Sequence, residues 1–134
     1  MFQVRLQTYW ADSDAAGIVY FPNFFKFAEH AEEEMFRAAG EELQPLLRSS
    51  DVWLPRVEAF SKFSKPIRLG AEILVRLKPQ IKGEKAIRYD FEIVADVTEG
   101  HLAEGYITVV CVDAATFKST RLPDAVRKIV LQHA

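Results

Sequence analysis

Two aspartates that lie two positions apart are the side chains of this sequence best suited to chemistry. Asp12 and Asp14 occur in a turn-rich segment, residues 11–17, directly ahead of a run with helical periodicity. The first N–H groups of a helix lack partners within it, so they can polarise a carbonyl oxygen while a nearby carboxylate attacks the carbon or activates water. The alternative is that both aspartates only shape the loop through capping and Asx-turns, and the spacing alone favours that alternative.

A long helix is predicted to position this segment. Apolar residues recur at three- and four-residue steps over residues 22–39, which predicts one buried stripe with a polar face opposite it. Pro22 suits the first turn of a helix, and Gly40 suits its end. A weaker helix is predicted over residues 41–48, and a last amphipathic helix over residues 123–132.

Strands are predicted for most of the remaining chain. Residues 2–9 alternate between apolar and polar side chains, which is typical of a half-buried strand. Four further strands are predicted at residues 57–68, 72–81, 87–95 and 106–112. Turns at Gly83-Glu84 and Glu99-Gly100 separate the last three of them. The last strand is apolar on both faces, so we expect both faces to be covered.

The order of the elements predicts a single α+β domain over residues 1–134. One strand, one long helix and an antiparallel meander pack most simply with the helix across one concave face of the sheet. A chain of 134 residues is also long enough to bury a sizeable core within one domain.

The composition argues against several classes of function. Seventeen basic and nineteen acidic side chains give a net charge of −2, which offers no attraction to a nucleic acid or an anionic membrane. The single cysteine, Cys111, can form neither an internal disulfide nor a thiolate cage for a metal. The N-terminus lacks the pattern of a signal peptide, and no apolar run reaches the roughly 18 residues that a membrane helix needs. We expect a cytoplasmic protein without nucleic-acid partners or membrane insertion.

One segment carries a family resemblance. Residues 11–24, with the sequence ADSDAAGIVYFPNF, resemble the signature of hotdog-fold thioesterases of the hydroxybenzoyl-CoA thioesterase family. Residues 54–59, followed by Pro66 and Gly70, resemble the start of the family's long strands, and Leu122-Pro123 resembles its usual ending. The resemblance therefore covers nearly the whole chain. It implies a hotdog fold, in which a curved antiparallel sheet wraps a long helix.

The resemblance also implies an activity and a site. Members of the family hydrolyse acyl-CoA thioesters to a free acid and coenzyme A, without a cofactor or a metal. The family's catalytic carboxylate corresponds to Asp14, as nucleophile or general base, and the N–H group that binds the thioester carbonyl corresponds to Phe21. Family members form homodimers in which two sheets join edge to edge, with active sites at the junction, and dimers often pair into homotetramers.

Substrate contacts are expected on both sides of the thioester. Five aromatic residues could line the acyl pocket: Tyr20, Phe21, Phe24, Phe60 and Phe63. Flat aromatic walls favour an aryl acyl group over a short aliphatic one. Where the family places a basic run for the nucleotide phosphates, this chain has Lys82 and Lys85, and Glu58 is an acidic residue that the family often shares. Unlike another branch of the family, the chain has no histidine at position 21.

Alternatives to this interpretation differ in chemistry. An apolar groove of the same kind could hold acyl-CoA without hydrolysing it, and the thioester could belong to an acyl-carrier protein. His30, Glu33 and Glu34 have helical spacing, but His30 and Glu33 lie on the polar face, so a solvated surface is the preferred interpretation over a metal site. An ordinary aspartate pKa of about 3.9 suits Asp14 as a nucleophile, whereas burial would suit it as a base. The sequence leaves both roles open.

Overall fold

The computed structural model describes residues 1–95 and 100–134. The helices are α1 Asn23–Ala38, α2 Leu43–Ser49 and α3 Asp124–Leu131. The strands are β1 Phe2–Gln7, β2 Val52–Trp53, β3 Arg56–Phe63, β4 Glu72–Lys82, β5 Ala86–Ala95, β6 His101–Val110 and β7 Val112–Asp113. A short 3-10 helix, Trp10–Asp12, follows β1.

Five strands form one antiparallel sheet in the order β1-β4-β5-β6-β3, which makes β1 and β3 its two edges. Side chains alternate along each strand, so the face that packs on α1 carries every second residue of the central strands. The buried residues on that face include Ile73, Val75, Leu77, Ile87, Phe91 and Ile93. From α1, the same core includes Phe24, Phe27, Ala28, Ala31 and Met35. The predicted α+β class is confirmed.

The long helix matches its prediction within one residue at each end. Pro22 precedes α1, where its missing N–H costs nothing, because the first N–H groups of a helix have no partner within it. At the other end Gly40 has a φ of +87°, and its N–H donates to the carbonyl of Arg37 at 2.9 Å. Glycine adopts this left-handed conformation without the steric cost of a side chain, so it ends the helix.

The strand predicted over residues 57–68 is too long. β3 ends at Phe63, because the N–H groups of Ser64 and the next residue both donate to the Leu102 carbonyl, at 2.8 and 3.2 Å, and turn the chain away. Pro66 then offers no N–H for a strand ladder. This turn carries the chain from the edge of the sheet back toward the start of β4.

The strand predicted over residues 106–112 is displaced at both ends. β6 begins five residues earlier, at His101, and ends at Val110. Val112 pairs instead with Trp53 in a separate two-stranded sheet of β2 and β7. The turn predicted at Glu99-Gly100 includes Glu99, which lies outside the residues that the structure describes.

The two faces of β6 are covered unequally. Ile107 and Val109 are buried on the helix side. On the outer side Tyr106 is only half-buried, with the Arg88 guanidinium 3.9 Å above its ring and the Phe60 ring stacked at 5.7 Å. The expectation that both faces are covered is therefore met on the inner face, whereas neighbouring side chains give the outer face partial cover.

A buried ion pair joins α1 to the start of β3, and the sequence did not predict it. Glu32 is only 2% exposed and binds the Arg56 guanidinium, which also donates to Glu29 at 2.9 Å. Burial raises the pKa of the Glu32 carboxyl, and the positive charge of Arg56 opposes that rise. Burial and the nearby Glu32 carboxylate raise the pKa of the Tyr89 hydroxyl well above its ordinary value.

Candidate active site

A tight hairpin connects the short 3-10 helix to α1. Ser13 pairs with Val19 across it, and the Asp14 N–H donates to the Ile18 carbonyl at 2.9 Å. Gly17 closes the turn with a φ of +77°, a conformation that favours glycine. The two arms of the hairpin therefore carry the two predicted catalytic positions, Asp14 on the first arm and Phe21 directly after the second.

The Asp14 carboxylate is exposed near the tip of this hairpin. One oxygen, Oδ1, accepts the N–H of Ala16 at 2.8 Å. The other oxygen, Oδ2, accepts no hydrogen bond from any residue that the structure describes. The carboxylate is thus oriented by one oxygen, and its other oxygen is exposed.

The peptide N–H of Phe21 is a donor without an acceptor in the described parts of the chain. Its neighbours are bonded: the Tyr20 N–H donates to the Asp12 carbonyl at 2.8 Å, and the Asn23 N–H donates to the Tyr20 carbonyl at 2.9 Å. Pro22 has no N–H to offer. Phe21 therefore presents a single N–H at the start of α1, as an oxyanion donor would.

Asp12 has a different environment from Asp14. It is only 5% exposed, and its carboxylate accepts the Tyr9 N–H at 2.8 Å and binds the Lys26 ammonium group. Burial alone would raise the pKa of Asp12, but the hydrogen bonds from Lys26 and Tyr9 outweigh it, so the pKa lies below its ordinary value. These contacts match the loop-shaping role that the sequence offered as the alternative for both aspartates, and the bond from the Ala16 N–H to Asp14 Oδ1 is an Asx-turn contact of the same kind.

An apolar cavity of about 240 Å³ lies beside the Phe21 ring. Its wall includes Ile18, Val19, Phe21, Phe24 and Phe63. The Phe63 ring meets the Phe24 ring edge-on at 4.9 Å and the Phe21 ring at 5.8 Å. Tyr20 packs against Phe21 from outside the cavity, at 5.4 Å. Phe60 is also not part of this wall, because its ring stacks on Tyr106 at the outer face, so three of the five aromatic residues expected around the acyl group line this cavity.

The residues expected to bind coenzyme A lie far from this hairpin within one chain. Lys82 ends β4, whereas the segment before β4 contacts the hairpin through the Leu69 N–H and the Gly17 carbonyl, 3.1 Å apart. The length of β4 separates the two ends by about 33 Å, at the usual strand rise. Lys85 donates to the hydroxyl of Ser119 at 3.3 Å.

Glu58 lies on β3, directly opposite Thr108 of β6, and is exposed. A single chain therefore places Glu58 on the outer edge of the sheet, apart from the Asp14 hairpin. Near the start of the same strand lies a larger cavity of about 340 Å³, which the sequence did not predict. Its wall includes Leu43, Leu47, Trp53, Leu54, Pro55 and Phe117.

Within residues 1–95 and 100–134, the structure shows neither a metal-binding cluster nor a membrane-spanning helix. No group of three or more His, Cys, Asp or Glu side chains is arranged there to hold a metal ion. Among the helices of this part of the chain, none combines the length and the apolar character needed to cross a membrane.

Known proteins resemble this chain in sequence and in fold. A family model described as the thioesterase-like superfamily matches residues 8–130. A 1,4-dihydroxy-2-naphthoyl-CoA hydrolase from Nostoc punctiforme is 32% identical over 115 residues, which cover 86% of this chain and 76% of that protein. One from Trichodesmium erythraeum is 24% identical over 131 residues, 97% of this chain and 95% of that protein.

Solved structures agree with these relatives. The crystal structure of a 1,4-dihydroxy-2-naphthoyl-CoA thioesterase from Synechocystis superposes with a TM-score of 0.91 at 28% identity, covering 97% of this chain and 95% of that one. A gentisyl-coenzyme A thioesterase shares the fold with a TM-score of 0.80 at 22% identity, over 93% of this chain and 98% of that one. The predicted family and hotdog fold are confirmed: the chain belongs to the thioesterase-like superfamily.

Proposed function

We propose that this chain hydrolyses aryl-CoA thioesters to a free acid and coenzyme A. The observation that carries the proposal is one hairpin with two groups that have no hydrogen-bond partner among the described residues, the Oδ2 oxygen of Asp14 and the N–H of Phe21. Thioester hydrolysis needs a nucleophile or base and a donor for the developing oxyanion. The 1,4-dihydroxy-2-naphthoyl-CoA activity named for relatives supports an aryl acyl group.

The thioester carbonyl oxygen would accept the Phe21 N–H at the start of α1. This donor is useful because it belongs to the backbone and is already oriented, so little reorganisation is needed as negative charge develops on the oxygen. The partial positive charge at a helix N-terminus acts in the same direction. The acyl group would then extend toward the cavity lined by Phe24 and Phe63.

Asp14 would supply the attacking oxygen or the base. As a nucleophile, its Oδ2 bonds to the carbonyl carbon, the carbon–sulfur bond breaks, coenzyme A leaves as a thiolate, and water hydrolyses the resulting anhydride. As a base, the same oxygen takes a proton from a water molecule that attacks the carbon. The exposure of the carboxylate supports the nucleophile, because Oδ2 is accessible to the carbonyl carbon of a thioester held at the hairpin.

The active unit that we propose is a homodimer joined through β3. This strand pairs with β6 on one side only, so its other side offers free backbone groups to a partner. The exposed strand also carries apolar side chains: Val57 is 60% exposed, and Phe60 and Phe63 are each 46% exposed. A self-complementary edge of this kind is what a two-fold dimer uses, and a homotetramer would pair two such dimers.

This pairing brings the separated substrate residues together. Two-fold symmetry sets the β3 strands antiparallel, so Phe63 of one chain lies near the start of the partner's β3. The β4–β5 turn is at that same end of the sheet, because Arg56 pairs with Val109, which in turn pairs with Ile87. The partner's Lys82 and the partner's Lys85 are thereby brought toward the Asp14 hairpin, where they would bind the phosphates.

In the proposed dimer, the partner's Glu58 and the partner's larger cavity also lie near the hairpin. The cavity wall at Leu54 and Pro55 directly precedes β3, so the partner's cavity adjoins the hairpin in the paired arrangement. A fused aromatic ring could extend from the 240 Å³ cavity of one chain into this second space. The partner's Glu58 would approach the junction from the paired strand.

Release of free thiol from a panel of thioesters tests the proposal. The panel contains 1,4-dihydroxy-2-naphthoyl-, benzoyl-, phenylacetyl-, acetyl- and palmitoyl-CoA, together with an acyl-carrier-protein thioester. Stacking in an aromatic pocket is worth about 0.5–1.5 kcal/mol, so we expect aryl esters to exceed acetyl-CoA about three- to tenfold in kcat/KM. Binding without thiol release would identify a ligand-binding domain. A profile that peaks at palmitoyl-CoA or at the carrier protein would overturn the aryl-CoA assignment.

A further inference from the structure

We propose that Lys26 is a positioning residue for the Phe21 N–H, acting through what we term the Asp12 anchor, which consists of Asp12, Asn23 and Lys26. This inference rests on the proposed function, because it concerns the donor that would bind the thioester carbonyl. Lys26 is the fourth residue of α1 and binds the Asp12 carboxylate. Its effect would pass through Asp12 and the peptide group between Tyr20 and Phe21.

Asp12 uses both its backbone and its side chain to join three segments. Its carbonyl accepts the Tyr20 N–H and the Asn23 side-chain amide, each at 2.8 Å. Its carboxylate accepts the Tyr9 N–H on one oxygen and binds the Lys26 ammonium group on the other. The segment between β1 and the 3-10 helix, the second arm of the hairpin and the start of α1 are all held by this one residue.

These bonds orient the Phe21 N–H because a peptide group is planar. The Tyr20 carbonyl and the Phe21 N–H belong to one trans peptide group, so fixing the direction of one fixes the other. The Asn23 N–H holds that carbonyl at 2.9 Å, and the Asp12 carbonyl holds the Tyr20 N–H. Asp12 therefore holds both the peptide group before Tyr20 and the Asn23 side chain, and through them it orients the Phe21 N–H, which has no acceptor among the described residues.

Lys26 supports this arrangement because the Asp12 carboxylate is buried. A carboxylate with so little access to water is costly unless it is paired and hydrogen-bonded. Without Lys26, the Tyr9 N–H would be its one remaining hydrogen-bond donor among the described residues, and the carboxylate would reorient toward water or take up a proton. Either change would shift the Asp12 backbone, and with it the peptide group of Phe21. A displacement of about 1 Å at a reacting centre can cost on the order of a hundredfold in rate.

The test compares Lys26→Met with Lys26→Arg, which restores the charge. Lys128→Met is the matched control, since Lys128 is an exposed lysine on α3. Two inert coenzyme A ligands separate positioning from general damage: a ketone analogue that keeps the carbonyl and a thioether analogue that lacks it. We expect Lys26→Met to lower kcat about tenfold with KM nearly unchanged, and to weaken the ketone but not the thioether. Lys26→Arg should recover most of the loss, and Lys128→Met should match the wild type.

The outcomes distinguish this inference from the proposed function. The positioning role would be overturned if Lys26→Met weakened the binding of both analogues equally. It would also be overturned if the variant, assayed well below its melting temperature, kept the wild-type kcat. Should Lys26→Met fail to fold, Asn23→Ala removes the amide contact with Asp12 without changing charge and carries the same expectation. A wild-type protein that released no thiol, yet lost ketone binding specifically on Lys26→Met, would support the anchor and refute the hydrolase. A wild type that bound neither analogue would refute both.

Discussion

The two edges of the sheet differ in the exposure and polarity of their side chains, and this difference supports the proposed position of the dimer interface. Along β1, half-buried apolar residues alternate with exposed Gln3, Arg5 and Gln7, as expected of an edge that faces water. Along β3, nearly every residue is exposed, and Val57 and Phe63 are apolar. A bare apolar edge is a liability for a monomer and is stable when a second copy covers it. This contrast between the edges supports the proposal that two chains assemble, and complete the site, through β3.

The largest effect is expected from Asp14, because its loss should abolish the chemistry without touching either edge. Asp14→Asn has neither a nucleophilic oxygen nor a base, so we expect kcat to fall by on the order of a hundredfold or more, about 3 kcal/mol of barrier. Thiol release gives the rate, and light scattering gives the mass, which should equal that of the wild type. If Asp12→Asn stopped turnover in a folded protein while Asp14→Asn did not, the two aspartates would have to exchange roles.

The next largest effect is expected from a charge placed on β3, and the same change on β1 provides the comparison. Val57→Lys places a charge on the exposed side of β3, and two-fold symmetry brings two such charges near each other, so the dimer should dissociate. The expected result is a species of 15.3 kDa with activity reduced about tenfold or more. Gln3→Lys on β1 is the control and should leave mass and rate unchanged. A wild-type protein that was already monomeric at micromolar concentration, and active, would contradict the assignment of the edges.

A smaller effect, on stability, is expected when Asp12 is replaced, because Asp12 holds the hairpin that follows the 3-10 helix. Because the pKa of Asp12 is lower in the folded protein than in the unfolded chain, its contribution to stability is present above the unfolded pKa of about 3.9 and is lost as the pH falls through the folded value. At pH 7 we expect Asp12→Asn to reduce the free energy of unfolding by about 2 kcal/mol. Thermal melts should show this difference constant above about pH 5 and narrowing below pH 4. If the stability difference between the wild type and Asp12→Asn grew as the pH fell, the pKa of Asp12 would have to be raised in the folded protein.

The sequence predicted those parts of the fold that depend on local pattern. The three- and four-residue steps of apolar side chains located α1 within one residue at each end, and alternation located β4 and β5. The errors occurred where partners distant in sequence decide the outcome. Leu102 ends β3 from a strand about 40 residues later, and β2 draws Val112 out of the last predicted strand. No local pattern reports such contacts.

The candidate site divides in the same way. Asp14 and Phe21 were identified through a motif in consecutive residues, and the structure places both on one hairpin. The ion pair of Asp12 and Lys26 spans 14 positions, and that of Glu32 and Arg56 spans 24, so neither has a signature in spacing. Glu32 is a charged residue within the apolar, buried stripe of α1, and charged residues are seldom fully buried without a partner. This feature of the sequence could have predicted a buried ion pair. In the dimer that we propose, Lys82 and Lys85 reach the hairpin from the partner chain, and spacing within one sequence does not predict such a contact.

The central claim, that each site combines Asp14 of one chain with lysines of the other, can be tested in a heterodimer. One chain carries Asp14→Asn, and the other carries Lys82→Glu and Lys85→Glu; different tags on the two chains allow the mixed dimer to be isolated. In the shared-site arrangement, one of its two sites combines an intact Asp14 with the partner's intact lysines. We expect about half the wild-type kcat per dimer with the wild-type KM. If lysines served the Asp14 of their own chain, every site with an intact Asp14 would lack them, and the heterodimer would show the raised KM of the lysine variant.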